Sequence, residues 1–189
     1  MRIPARAVLA VLTIPAAVLA QSPSQDNPIS AYQKGMYGYV KGILLSSAEK
    51  MPDENYAFRP TDSVRSYGQI VGHVADAQYS FCSIALGKNN PQLNIEKTRT
   101  TKPELIAALK EAFAYCDEAY DGLTDATAAQ PVKLFGKDSP RLGALEVNLM
   151  HDFDHYGNLA TYMRLKGIVP PTSEQPPQAQ PQGAAKKHD

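Results

Sequence analysis

The chain has 189 residues, 43% hydrophobic and 20% charged, with 19 Lys and Arg against 19 Asp and Glu. That balance leaves no basic footprint for nucleic acid or an anionic membrane surface. The length suits one domain around a single core, and the sequence holds no Trp, no internal repeat and no G-x-x-x-x-G-K phosphate loop.

Residues 1–20 read as a signal peptide. Arg2 and Arg6 form a positive start, Ala7 to Leu19 an apolar run, and Val18-Leu19-Ala20 a small-residue cleavage pattern before Gln21. The run is short for a membrane span and Pro15 interrupts it; an uncleaved anchor is the other reading. The expected product is exported, periplasmic or secreted, with no stable membrane insertion once the leader is gone. Removing Arg2 and Arg6 leaves 17 basic against 19 acidic residues, a formal charge of −2.

After a linker at 21–27, the domain spans 28–171 and reads as four helices. The first covers about 28–51, with Asn27 as N-cap, Pro28 at the first position, and Tyr32, Met36, Val40, Ile43 and Leu44 at helical spacing. Two prolines and polar turn formers in 52–65 stop it. The second opens on the capping box Ser66-x-x-Gln69 and ends near Gly87, with His73 in its first half. A polar loop over 88–100 leads to a second capping box, Thr101-x-x-Glu104, and a third helix reaching Tyr120 or Gly122. Weak alternation around Pro131-Val132-Lys133-Leu134 predicts an extended turn or short hairpin. Ser139-Pro140 then starts the fourth helix, which Gly167 closes, with Pro170 and Pro171 beyond. The connections are longer than an up-down bundle needs, so the sequence predicts an all-α four-helix bundle with long connecting loops, which either make one or more crossovers or shape a site at one end of the bundle. Residues 172–189, rich in Pro, Gln and Ala, are expected to be disordered.

Cys82 and Cys116 each fall within a predicted helix. A disulfide between them is open, since sequence does not give the Cα separation. Cys116 shares a face with Leu109, Phe113 and Tyr120, which favours a small buried apolar residue.

Of the four histidines, His188 lies in the tail and is excluded as a ligand. His151 and His155 stand four apart on the last helix, on the side of Ala144, Val147, Leu159 and Tyr162. With His73 they offer three neutral imidazole donors, the set that leaves a tetrahedral ion one open position. The competing reading is three hydrogen-bonded core histidines. Position 152 is Asp, so the pattern is not the zincin H-E-x-x-H. Asp152 and Asp154 are expected to be solvated charges on the helix face, with a hydrogen bond from an imidazole N–H as the sharper alternative.

The stretch 52–81, with Phe58-Arg59-Pro60 and Gly72-His73, and the run from His151-x-x-x-His155 through Gly157 to Arg164-Leu165-Lys166-Gly167 resemble the DinB-like (DinB/YfiT-like) family of four-helix bundles. The resemblance covers roughly 30–171. It implies a divalent metal held by His73, His151 and His155, zinc or nickel first, with iron or manganese as further choices. It also implies a small-molecule substrate and a homodimer. Relatives include thiol-dependent transferases and a maleylpyruvate isomerase, so the implied activity is a metal-dependent transferase or hydrolase. Asn158 departs from the Gln that many relatives carry after the glycine. Export counts against a cytosolic thiol cofactor. Phe58 is expected to plug the bundle end, and Arg164 to offset the negative end of the last helix.

No general base is assignable from the residues alone, and the catalytic residues stay unknown. A non-catalytic exported protein that binds metal or mediates interactions is the alternative, and a fold that no longer binds metal is a third.

Overall fold

The computed structural model describes residues 26–174. The expected leader, most of the linker, and the tail from Gln175 onward, His188 included, lie outside these residues.

Four long helices carry the fold: α1 (Pro28–Lys50), α2 (Tyr67–Leu86), α4 (Lys102–Asp121) and α6 (Arg141–Leu165). Both predicted capping boxes form. Ser66 accepts from the Gln69 backbone N–H while the Gln69 side chain accepts from the Ser66 N–H, and Thr101 and Glu104 do the same for α4. Gly87 closes α2 in the left-handed region at φ 65°, and Gly167 follows α6 at φ 72°, where a Cβ would be strained.

α1 starts where expected, with Asn27 at the N-cap and Pro28 at the first position, but the cap bond itself differs. Asn27 sits at φ 65° and its side chain makes no cap bond to α1. The carboxylate of Asp125, 95 residues from Ser30, accepts from the backbone N–H groups of Ile29 and Ser30 and from the Ser30 hydroxyl. Asn27 in turn accepts from the Asp125 N–H at 2.9 Å. Tyr32 is 71% exposed, and the buried line of α1 runs instead through Gln33, Tyr37, Val40, Leu44 and Ala48.

The connections add two short helices, α3 (Ile95–Thr98) and α5 (Asp125–Ala128), and a hairpin of β1 (Pro131–Leu134) with β2 (Lys137–Pro140). The fourth long helix therefore begins one residue later than Ser139-Pro140 suggested, since both belong to β2. Past Pro171 the fold continues as a 3-10 turn over Pro171–Ser173, where Thr172 meets the Tyr156 hydroxyl at 2.6 Å and Arg164 donates to the Ser173 hydroxyl.

Pairs of contacts fix the helix directions. Arg141 donates to the Ala85 carbonyl, Asn148 to Gln78, and Tyr162 to the Arg65 carbonyl, so α2 and α6 are antiparallel neighbours. Tyr37 and Lys41 bond to Asp117 while Lys110 pairs with Glu49, so α1 and α4 are antiparallel. Cys82–Cys116 and Lys88–Glu118 run in register, so α2 and α4 are parallel. Each of α1 and α2 packs on both α4 and α6, which leaves α1 and α2 on a diagonal of the bundle. That crossing is why the links are long.

The core lies among all four helices, with Tyr37 stacked on Tyr120 at 3.8 Å and Tyr67, Phe113, Leu145 and Met163 fully enclosed. Cys82 and Cys116, both 0% exposed, form a disulfide between α2 and α4 with a Cα separation of 5.3 Å. Burial of Cys116 was foreseen; its pairing overturns the reading of an isolated apolar residue. Among the described residues, no helix is long and apolar enough to cross a membrane.

Candidate metal centre

His73 on α2 and His151 and His155 on α6 converge across the α2–α6 contact. The Nε2 of His151 stands 3.0 Å from that of His73 and 3.1 Å from that of His155. One ligand atom from each of the three lies within 4.8 Å of the others. Four-residue spacing puts His151 above His155 on one face of α6, and the antiparallel helix brings His73 between them. Nitrogens bound to one tetrahedral ion at the usual bond length stand about 3.3 Å apart, so the cluster fits such an ion closely.

Their surroundings favour the neutral form of all three imidazoles. Burial, then the neighbouring His155 and His73, pushes His151 down to about 3. Burial and the Arg65 charge lower His73, and burial and His73 lower His155. Neutral rings are what a metal requires of its ligands. The Nδ1 atoms of His151 and His155 are buried without a hydrogen-bond partner among the described residues, whereas Nδ1 of His73 lies 3.3 Å from Oε2 of Glu96. That contact places the His73 proton on Nδ1 and leaves the Nε2 lone pair facing the cluster.

Glu96 was not visible in sequence reasoning, which read 88–100 as polar loop. It reaches the site through α3. The Asp76 carboxylate accepts from the backbone N–H groups of Ile95 and Glu96, at 2.8 and 3.0 Å, and so docks α3 on α2. Gly72 makes room: a Cβ there would lie 2.7 Å from the Glu96 Cα. The pair Gly72-His73 thus carries both the ligand and the clearance for its partner. Arg65 completes the chain by donating from Nε to Glu96 Oε1 at 2.9 Å.

Asp152 corrects both sequence readings. It is 0% exposed rather than solvated, and among the described residues it makes no hydrogen bond to an imidazole, its Oδ2 being buried without a partner. Its Oδ1 accepts from Gln78 at 2.6 Å, Gln78 accepts from Asn148, and Asn148 donates to the Tyr120 hydroxyl. Burial outweighs the Gln78 hydrogen bond and pushes Asp152 up to about 8. Asp154 is exposed, as expected. Asn158 is exposed too and bonds to its own helix at the Asp154 carbonyl.

Two cavities adjoin the cluster. One of about 570 Å³ reaches His155 and is lined by Arg59, Arg65, Gln69, Glu96, Asn158 and Tyr162 among others. The second, of about 350 Å³, reaches His73 and His151 and is walled by Ala77, Phe81 and Leu93. Phe58 packs edge-on against Tyr162 at 5.8 Å under the Lys166 ammonium, the plug role expected of it, while Arg59 faces the larger cavity.

Residues 40–159 match the family model of the DinB superfamily. Over 136 residues the chain is 27% identical to the uncharacterized protein YjoA of Bacillus subtilis, covering 67% of this chain and 84% of that one. The crystal structure of YjoA superposes with a TM-score of 0.62 at 21% identity, covering 77% of this chain and 96% of its own. A DinB-like protein from Bacillus cereus gives a TM-score of 0.66 at 17% identity, covering 74% and 93%. YfiT from Bacillus subtilis, described as a probable metal-dependent hydrolase with an unusual four-helix bundle topology, gives 0.58 at 17%, covering 74% and 89%. With most of its helical bundle inside the matched region, the chain belongs to the DinB superfamily.

Proposed function

We propose that this protein binds one divalent transition-metal ion through Nε2 of His73, His151 and His155, and acts on a small molecule by metal-dependent transfer or hydrolysis. The observation that carries the reading is the approach of three neutral imidazole Nε2 atoms, at 3.0 and 3.1 Å, beside two cavities. The description of YfiT as a probable metal-dependent hydrolase supports it. An all-imidazole donor set suits zinc or nickel first, and iron(II) or manganese as well. What such an ion supplies is Lewis acidity, able to activate water or a thiol as nucleophile and to polarise a carbonyl.

The chain's own residues prepare the site. Glu96 holds the proton on Nδ1 of His73 and sets the ring's orientation. Burial lowers the pKa of all three rings and so favours their neutral form. Phe81, edge-on to His151 at 5.8 Å, packs against that ring and gives the smaller cavity an apolar wall beside it. Export is part of the proposal and is supported by the buried Cys82–Cys116 disulfide, a bond that persists in oxidising compartments.

Glu96 is already committed to Arg65 as well as His73, which favours a second reading: metal binding without catalysis. Metal analysis of untagged protein beside His73→Ala and His151→Ala tests the shared premise. One equivalent per chain, lost in both variants, is expected. Wild type that stays empty after incubation with zinc, nickel and manganese would refute it. Turnover of a small ester, amide or thiol-acceptor panel only when metal is loaded separates the enzyme from the binder.

A further inference from the structure

The amide of Gln78, buried on α2, faces two polar side chains of α6. Its Oε1 accepts from Asn148 at 3.0 Å, and its Nε2 donates to Asp152 Oδ1 at 2.6 Å. All three residues are 0% exposed. Asn148 and Asp152 stand four apart, so a single amide grips a full turn of α6. Asn148 also donates to the Tyr120 hydroxyl at 3.3 Å, which ties the grip to α4. Apart from the approach of His73 to His151, these are the side-chain to side-chain hydrogen bonds between α2 and α6 among the described residues.

Stability does not demand such an arrangement. Replacing a buried polar network by apolar side chains of similar volume is often neutral or stabilising. What polar groups add in a core is discrimination, because apolar ridges and grooves accept one another at more than one register.

The competing registers of α6 lie one turn away, a slide of about 5.4 Å. The buried row of α6 at the grip reads Ala144, Asn148, Asp152, Tyr156. A slide of one turn brings Ala144 or the ring of Tyr156 to a place that needs a short polar side chain. The row that carries the cluster reads Val147, His151, His155, Leu159. The same slide puts Val147 or Leu159 where an imidazole belongs, leaving one histidine of α6 opposite His73 instead of two. Grip and cluster are in step: a register that breaks one breaks the other.

We infer that Gln78 is a positioning residue of the metal centre: by bonding Asn148 and Asp152 together, it sets the register at which His151 and His155 meet His73. That the cluster holds an ion rests on the function proposed above; the register does not depend on the ion.

The triple variant Gln78→Met, Asn148→Leu, Asp152→Leu removes the grip and leaves none of its polar groups orphaned. Zinc affinity, read by competition with a chromophoric chelator, is expected to fall about tenfold or more, while Tm holds or rises. Amide NMR spectra of the metal-free protein should show one set of α6 signals in wild type and doubled or broadened ones in the variant. Gln78→Asn makes the same test without added volume, since its amide is one methylene too short to reach both partners. It should move zinc affinity and the α6 signals in the same direction. Asp152→Asn keeps the oxygen that Gln78 needs, so it should bind zinc as wild type does.

Wild-type zinc affinity with a single set of α6 signals, in the triple variant or in Gln78→Asn, would overturn the inference. A collapse of Tm in both would do so too, by making the network a stabiliser only. So would an Asp152→Asn that loses as much affinity as the triple variant, because charge rather than register would then be at work. If wild type takes up no zinc, the metal reading falls, and the α6 signals of the metal-free proteins decide the register by themselves.

Discussion

Gly72 and Glu96 approach so closely that a side chain on the first would collide with the backbone of the second: the added Cβ would meet the Glu96 Cα at 2.7 Å. The contact is backbone against backbone, so no rotamer change relieves it. Gly72→Ala is expected to push α3 off α2, cost about 1–3 kcal/mol of stability, and withdraw Glu96 from His73. Thermal unfolding measures the first effect, and unchanged Tm would contradict the packing.

Glu96→Gln isolates the second effect. The glutamine fits the same space and keeps an oxygen for Nδ1 of His73, but loses the charge. Metal affinity is expected to fall about 10-fold or more with little change in Tm. Competition with a chromophoric chelator reads the affinity; equal affinity in wild type and variant would leave Glu96 with a packing role only.

Cys82 and Cys116 close a loop 34 residues apart in sequence. Chain-entropy arguments assign such a link about 4 kcal/mol of stability. The double variant Cys82→Ala, Cys116→Ala should unfold at markedly lower temperature. Because both sulfurs are fully buried, native wild type should resist reductant until it unfolds. Rapid reduction of the folded protein would argue against this placement.

Asp125 gives a pH signature. Backbone N–H donation from Ser30, then the Ser30 hydroxyl and the Ile29 N–H, hold its carboxyl below the usual carboxylate range. A lowered folded pKa stabilises the ionised form, so the contribution is complete above the unfolded value of about 3.9. It is lost as pH falls through the lower folded value. Asp125→Asn should lower Tm near neutrality and flatten the acid limb of Tm against pH, leaving the two proteins closest in acid. A constant difference at all pH values would deny the charge its role.

Much of this molecule was legible because its signals are local. Ser66 with Gln69, Thr101 with Glu104, and the glycines at 87 and 167 mark helix ends within a few residues, and the i, i+4 pair His151 and His155 marks a shared face. What escaped was set by distant partners. Asn27 has the residue type of an N-cap, yet Asp125 supplies the cap from across the bundle. The four residues of α3 carry no periodic pattern and are held by Asp76. Asp152 looks like a surface charge until Gln78 and Asn148, both also buried, are seen around it. The hairpin was foreseen only in outline, since Phe135 disguises the turn that Gly136 permits.

The disulfide also decides which helix can move where α2 and α6 meet. It bolts α2 to α4 as a covalently braced slab. In the metal-free protein α6 is joined to α2 by hydrogen bonds and side-chain packing only, among the described residues. Breathing before an ion ties the three histidines together therefore falls on α6, which carries His151 and His155 together while His73 and Glu96 stay with the slab. Hydrogen exchange along α6 should then respond to ligand far more than exchange along α2.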